Sequence, residues 1–361
     1  MAKVTLSTSF NMLAPQDWAW EVNSATASFL SISDGVHTQT FNGIFSYSQS
    51  GAVSGAVDST RYYVNGALTF TVTAMGAGFN SAAVLQQHAE VAGDTQETYA
   101  YVLGGNDSIV GSASNDTILG YAGNDTLNGA GGSDAMLGGA GNDVYVVNAT
   151  GDRVYETTTM TGSTNAGGTD TVQSSVSFSL SATTGTSFVE RLTLTGTAAI
   201  NGTGNALANV LTGNAAANVL RGAAGNDTIS AGAGNDVLAG GGGNDLLTGG
   251  TGSDFFRFDT APNSSSNRDR VADFNPTADT FQLENAVFTK LGTTTGAMNA
   301  AFFKSIATGG ATDANDYVVY NHTTGVLYYD ANGSVNGLTD AVQIAVLTGA
   351  PTLTAADFVL I

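Results

Sequence analysis

The sequence has no cysteine, four prolines and three histidines, and its ten lysines and arginines face thirty aspartates and glutamates. Without cysteine there is no disulfide and no thiol nucleophile, so an extracellular form must find its conformational constraint elsewhere. A formal charge of -20 and a sequence pI near 4.1 argue against nucleic acid or an anionic membrane as an electrostatic partner and leave neutral or cationic ones. No apolar run is long enough for a membrane helix, and no basic amino-terminal region leads into an apolar stretch. The expectation is a chain with no membrane span and no ordinary secretory leader.

Catalytic signatures are equally sparse. His37, His88 and His322 belong to no H-E-x-x-H helix, and His88-Ala89-Glu90 has the wrong spacing to bring two histidines to one zinc. There is no G-x-S-x-G nucleophile elbow, and the glycine-rich turns lack the G-K-[ST] of a phosphate loop. Glycoside hydrolysis needs only two suitably separated carboxylates, for which Asp17, Glu21, Asp34, Asp58, Glu90 and Asp94 are the amino-terminal candidates; nothing in their spacing selects a pair.

What the chain does have is 47 glycines and a nine-residue beat of aspartates. Asp107, Asp116, Asp125, Asp134, Asp143 and Asp152 form one series, and Asp227, Asp236, Asp245 and Asp254 a second. Most follow a small, glycine-rich stretch and precede a β-forming or aliphatic pair, as in Gly138-Gly139-Ala140-Gly141-Asn142-Asp143-Val144-Tyr145-Val146. A glycine-rich hexapeptide and a three-residue strand make half a coil of a parallel β-roll, so residues two repeats apart stack. Asp107, Asp125 and Asp143 then form one column and Asp116, Asp134 and Asp152 the other, while Asp227 stacks with Asp245 and Asp236 with Asp254. Ile109, Ile118, Leu127, Met136 and Tyr145 share a phase and are expected in the roll interior. A glycine-rich linker would not hold that phase.

The glycines of these turns are Gly120, Gly129, Gly138, Gly139 and Gly141 in the first block. In the second they are Gly222, Gly225, Gly232, Gly234, Gly240, Gly241, Gly243, Gly249, Gly250 and Gly252. They permit positive φ and expose backbone carbonyls, and carboxylates with carbonyls are the oxygen ligands of a hard cation. Several Ca2+ ions are expected, acting as folding ligands because ions that bind only the ordered state pull the chain toward it. Asn209 and Asn218 occupy the phase of Asp227. Their neutral amides predict coils that stack without a strong ion site, with ions from about Gly222 onward.

This pattern, over residues 102–155 and 201–257, resembles the RTX family of type I secreted calcium-binding proteins. The resemblance implies a parallel β-roll with calcium between its turns, export by the type I secretion machinery, and folding delayed until extracellular calcium is met. Residues 255–361 are similar to the carboxy-terminal region of serralysin-like RTX proteases, whose catalytic domain has no counterpart here. The ending Asp357-Phe358-Val359-Leu360-Ile361 looks like an uncleaved type I export signal, a last β-strand, or each at different times. Asp330 and Asp340 read either as further calcium ligands or as ordinary turn aspartates.

The expected fold class is all-β. Residues 1–100 carry alternating β-branched and aromatic runs and read as an antiparallel sandwich or barrel-like domain. Then follow the first block at 101–155, a connecting solenoid segment at 156–200, the second block at 201–257, and a cap and secretion region at 258–361. Within the connection, the Thr-, Gly- and Ser-rich stretch 158–171 reads as a loop. After the second block, Asp269–Phe274 and Asp279–Leu283 read as the closing strands. Trp18 and Trp20 share a strand face, suited to core packing or to an exposed ligand or assembly patch. The expected function is noncatalytic: a calcium-stabilised structural protein, extracellular or at the cell surface, that assembles with its own copies into a fibre, matrix or surface layer. A monomeric adhesin binding surface glycans is the second reading, and a glycan-acting enzyme the third.

Overall fold

The computed structural model describes the backbone of seven strands between residues 21 and 100, then Asn106, then residues 108–361 apart from 112, 158–160, 162, 182–185, 309–313, 334–337 and 339. Asp107, Trp18, Trp20, Asp17, Asp34, Glu90 and Asp94 lie outside the described residues. The chain divides into two units, Met1–Gln173 with Thr183–Val189, and Ser174–Ala182 with Glu190–Ile361. The first takes in the expected amino-terminal domain and first block, the second takes in the second block and cap, and the connecting segment is shared between them.

In the first unit, β1 (Glu21–Thr26), β2 (Phe29–Ser33), β3 (His37–Tyr47), β4 (Val53–Val64) and β5 (Ala67–Thr73) pair antiparallel in chain order. Then come β6 (Gln87–Ala89), β7 (Glu97–Ala100), β8 (Ser108–Val110), β9 (Asp116–Ala122), β10 (Thr126–Asn128), β11 (Ala135–Ala140), β12 (Val144–Val147) and β13 (Arg153–Tyr155). From β7 onward the odd strands form one parallel stack and the even strands β8, β10 and β12 another. The meander joins the even stack through antiparallel β5–β8, and β6 closes the odd stack antiparallel to β7. Ile109, Leu127 and Tyr145 face one another in register on one sheet, Ile118, Met136 and Val154 on the other, and all six are buried. Next is β14 (Thr171–Ser174), whose Thr171 N–H donates to the Asp143 carbonyl at 2.8 Å.

The second unit repeats this plan at greater length. One stack runs in parallel through β15 (Phe178–Ser179), β17 (Gly202–Thr203), β19 (Val219–Ala224), β21 (Val237–Gly242), β23 (Phe255–Phe258) and β25 (Thr280–Leu283). The other runs through β16 (Arg191–Leu194), β18 (Val210–Thr212), β20 (Thr228–Ala233), β22 (Leu246–Thr251) and β24 (Asp269–Val271). Leu211, Leu220, Ile229, Leu238, Leu247 and Phe256, nine residues apart, are all fully buried. Each such side chain contributes about 1.5–3 kcal/mol on burial. A single coil therefore cannot offset the ordering of its own backbone, and stability accrues only by stacking.

Both stacks of this unit are closed by strands from the end of the chain. The remaining strands are β26 (Gly296–Ala297), β27 (Phe303–Ile306), β28 (Val318–Asn321), β29 (Val326–Tyr329), β30 (Val342–Leu347) and β31 (Phe358–Leu360). β30 adds parallel to β24 and continues antiparallel through β29 to β28; β31 adds parallel to β25. Phe281 stacks on Phe274 at 4.2 Å and on Phe358 at 5.2 Å between ring centroids, so aromatic rings fill the roll where the glycine repeats stop. The apolar ending of the chain is a buried strand of this cap. No helix among the described residues is long and apolar enough to cross a membrane.

Candidate calcium sites

From Asp134 onward each repeat aspartate sits where the turn enters a strand, and its side chain turns back into the stack. Its Oδ1 accepts the backbone N–H of the equivalent residue one coil earlier. Asp134 does this for Asp116 at 2.9 Å, Asp143 for Asp125 at 2.7 Å, Asp245 for Asp227 at 2.7 Å and Asp254 for Asp236 at 2.9 Å. The preceding asparagine makes a second ladder of opposite sense, its Oδ1 accepting an N–H from the next coil. Asn124 accepts from Asn142 at 2.8 Å, Asn226 from Asn244 at 2.8 Å and Asn235 from Ser253 at 2.9 Å. Each Asn-Asp pair thus binds its coil to both neighbours. Sequence reasoning weighed only the aspartate, although the recurring Asn-Asp dipeptide was the available signal.

The second carboxylate oxygen is what calls for an ion. The Oδ2 atoms of Asp134, Asp143, Asp227, Asp236, Asp245 and Asp254 are buried and have no hydrogen-bond donor. All but that of Asp236, which has Ala231 at the equivalent place, pack against the glycine five residues earlier. A Cβ on Gly222 would lie 2.1 Å from Asp227 Oδ2 and 2.4 Å from the Gly240 carbonyl oxygen, and one on Gly120 would lie 2.4 Å from Asp125 Oδ2 and 2.5 Å from the Gly138 carbonyl oxygen. A carboxylate oxygen and a carbonyl oxygen of the next coil therefore converge on one small volume. Water-excluded acceptors facing one another are costly, and a hard divalent cation with oxygen preference is what such a set fits.

The electrostatics agree. Burial pushes the Asp227 carboxyl up to about 7; the Asn209 N–H pulls it back and the Asp245 charge adds to the rise. Asp134, Asp143 and Asp254 are raised to about 6, again chiefly by burial against the lowering effect of the bonded N–H. Asp236 and Asp245 move in the same direction for the same first cause.

The asparagine copies solve the problem without an ion. Asn218 Oδ1 accepts the Asn214 N–H at 2.9 Å, and its Nδ2 donates to the Ile200 carbonyl at 2.6 Å and to Asn214 Oδ1 at 3.1 Å. Asn209 behaves alike, accepting from the Asn205 N–H at 2.7 Å and donating to the Glu190 carbonyl at 3.3 Å. The amide supplies the donor that a carboxylate lacks. Asp245→Ala is accordingly expected to lower the number of bound calcium ions and raise the calcium midpoint of folding. Asn218→Ala should leave the ion count unchanged while costing ~1–3 kcal/mol in stability from its broken hydrogen bonds. Calorimetric titration of both variants checks this; equal stoichiometry and midpoint in wild type and the Asp245 variant would refute the assignment.

The columns run further than the repeats. Asp170 Oδ1 accepts the Asp143 N–H at 2.8 Å across 27 residues, Asp269 accepts from Asp245 at 3.1 Å across 24, and Asp279 from Asp254 at 3.0 Å across 25. Burial raises the Asp269 carboxyl to about 8, with the Asp245 charge as the next cause. Asp152 and Asp279 terminate columns differently. Asp152 Oδ2 accepts the N–H groups of Asn148 and Ala149, each at 3.0 Å, and Asp279 Oδ2 that of Asn275 at 2.8 Å. Asp152 Oδ1 accepts the Asp134 N–H at 3.1 Å, so both of its oxygens are engaged by backbone. Asp116 is buried at the start of its column. Asp330 Oδ1 accepts the Asn332 and Gly333 N–H groups at 3.3 and 3.1 Å, and Asp340 accepts from Asn332 Nδ2 at 3.2 Å. These are turn contacts.

One further group of carboxylates lies off the nine-residue beat. Asp143, Glu156 and Asp170 are all buried, and one oxygen from each lies within 4.8 Å of the others. Burial pushes the Glu156 carboxyl up to about 10, with the Asp170 charge adding to the rise.

Comparison with known proteins agrees with this geometry. Residues 101–136, 110–145, 203–238 and 222–256 match the RTX calcium-binding nonapeptide repeat. The chain carries RTX calcium-binding repeats in both units, on an all-β fold with flanking β sheets. The matches stop at residue 256, so the resemblance of the carboxy-terminal region to RTX proteases rests on the sequence alone. Among solved structures, a subunit of the mannuronan C5-epimerase of Azotobacter vinelandii is similar at 28% identity, over 42% of this chain and 77% of its own, with a TM-score of 0.27. The extracellular lipase LipA of Serratia marcescens is similar at 19% identity, over 75% of this chain and 41% of its own, with a TM-score of 0.26. No curated protein matches the chain.

Proposed function

We propose that this protein is a secreted, noncatalytic structural protein that calcium sets into shape outside the cell, where its copies assemble into a fibre, matrix or surface layer. The observation that carries the reading is the set of donor-less buried carboxylate oxygens repeated coil after coil in both units. Such a chain resists folding where calcium is scarce and locks where it is plentiful, so ion uptake and folding are one event. Export by a type I system, which the repeats imply, suits a chain that stays unfolded until it meets calcium. A roll of this kind is a stiff element that presents the same surface at every coil. The sheet of β6, β7, β9, β11 and β13 ends on β13, which has no outer strand partner among the described residues, and an open strand edge favours addition of another chain.

The purified protein is expected to form filaments or sheets in calcium and to disperse in chelator. Negative-stain electron microscopy with light scattering, with and without calcium, tests it. A monodisperse monomer across physiological calcium and protein concentrations would sink self-assembly and favour a monomeric adhesin for surface glycans.

A further inference from the structure

Glu156 follows β13, and nothing in the nine-residue beat requires an acid there. It is 0% exposed, and Asp143 and Asp170 are each 1% exposed. The coil through β13 keeps the regular offset of 18, Leu137 opposite Tyr155, which sets Glu156 one coil after Gly138; the step from Asp143 to Asp170 is 27 residues, and the extra chain after Glu156 brings Asp170 to the end of the column. The Tyr145 hydroxyl, itself buried, accepts the Gly138 N–H at 2.8 Å and donates to Glu156 Oε1, which fixes the glutamate side chain. Glu156 Oε2 and Asp143 Oδ2 remain buried with no donor. Gly138 keeps the space open, for a Cβ there would lie 2.2 Å from Asp143 Oδ2 and 2.3 Å from the Tyr145 hydroxyl.

We propose that Asp143, Glu156 and Asp170 hold a divalent cation, calcium by their all-oxygen chemistry, at a buried site separate in composition from those of the repeats. Asp143 belongs to the repeat series, but where the other repeat turns offer a carboxylate and backbone carbonyls, its turn adds two further carboxylates. Two oxygens on one calcium at roughly 2.4 Å can stand no more than about 4.8 Å apart. One oxygen from each of the three residues meets that limit already. The Tyr145 hydroxyl orients Glu156, and the ion supplies the positive charge that the buried oxygens lack. The site anchors the irregular chain after β13 to the first roll, and it does so whether or not copies of the protein assemble.

Glu156→Gln in the full chain keeps the size of the side chain and an oxygen for Tyr145 while removing the charge. Equilibrium dialysis against calcium should then find one ion fewer than in wild type, with the far-ultraviolet circular dichroism at saturating calcium preserved. An unchanged ion count overturns the proposal and means that Glu156 instead shares a proton with its neighbours. The second measurement needs no variant: wild-type crystals grown with terbium should show an anomalous peak among the three carboxylates. Terbium at the repeat turns with none between Asp143, Glu156 and Asp170 overturns the proposal even if the glutamine variant does not fold.

Discussion

Chelation at pH 8 is expected to unfold both rolls, and acidification of the chelated protein toward pH 5 to restore much of the lost β structure. In the folded stacks burial raises Asp134, Asp143 and Asp254 from an ordinary 3.8 to about 6, Asp227 to about 7 and Asp269 to about 8. Between the ordinary value and these raised ones, the folded chain holds more protons than the unfolded chain. Its stability is therefore fully present below about pH 4 and is lost as pH rises through the window from 6 to 8. Calcium reverses the slope, because it binds the deprotonated carboxylates and competes with protons for them. An ion present at a hundredfold excess over its Kd adds about 2.7 kcal/mol, so a few such sites match the 5–15 kcal/mol typical of a whole domain. Far-ultraviolet circular dichroism across pH, in chelator and in calcium, reads both slopes. A chelated protein whose β signal is flat or grows with rising pH contradicts the role given to the buried carboxylates.

How far the sequence exposed this arrangement depended on where the nine-residue beat held. Inside each block the beat fixes which residues stack, and Leu127 opposite Tyr145 or Leu220 opposite Leu238 follows from counting alone. Asp170 was legible too: it keeps the phase of Asp143 and follows Gly167-Gly168, but the surrounding Thr-, Gly- and Ser-rich stretch reads as a loop. Asp269 and Asp279 were not legible as column members, because insertions put them 24 and 25 residues from the partners they bond. Nor does the beat separate Asp152 from Asp143. What distinguishes them is the turn at Asn148 and Ala149, whose amides take up the oxygen that Asp143 leaves without a donor. Glu156 escapes sequence reading, since it lies off the beat of aspartates and Asp170 meets it only after an irregular detour of the chain.

The glycines carry the other large effect, and two neighbours with opposite requirements isolate it. Gly243 has φ +139, and a Cβ there would sit 1.7 Å from the Gly225 carbonyl oxygen of the preceding coil and 2.6 Å from its carbon. Gly242, one residue earlier, would place a Cβ within 4 Å of nothing. Gly243→Ala combines a backbone conformation costing ~1–3 kcal/mol for a non-glycine residue with an overlap that only separation of the coils can relieve. The expected loss exceeds ~4 kcal/mol, the range reserved for severe core damage. Gly242→Ala should stay within ~0.5 kcal/mol of wild type. Because Gly225 leads directly into Asn226 and Asp227, moving its carbonyl also disturbs the turn that holds the Asp227 carboxylate. Gly243→Ala should therefore need more calcium to fold, as well as melting lower at saturation. Thermal melts of the two variants across a calcium series separate these effects. If both alanines behave alike, glycine serves here as a flexible composition; opposite outcomes show that contact between successive coils dictates it, position by position.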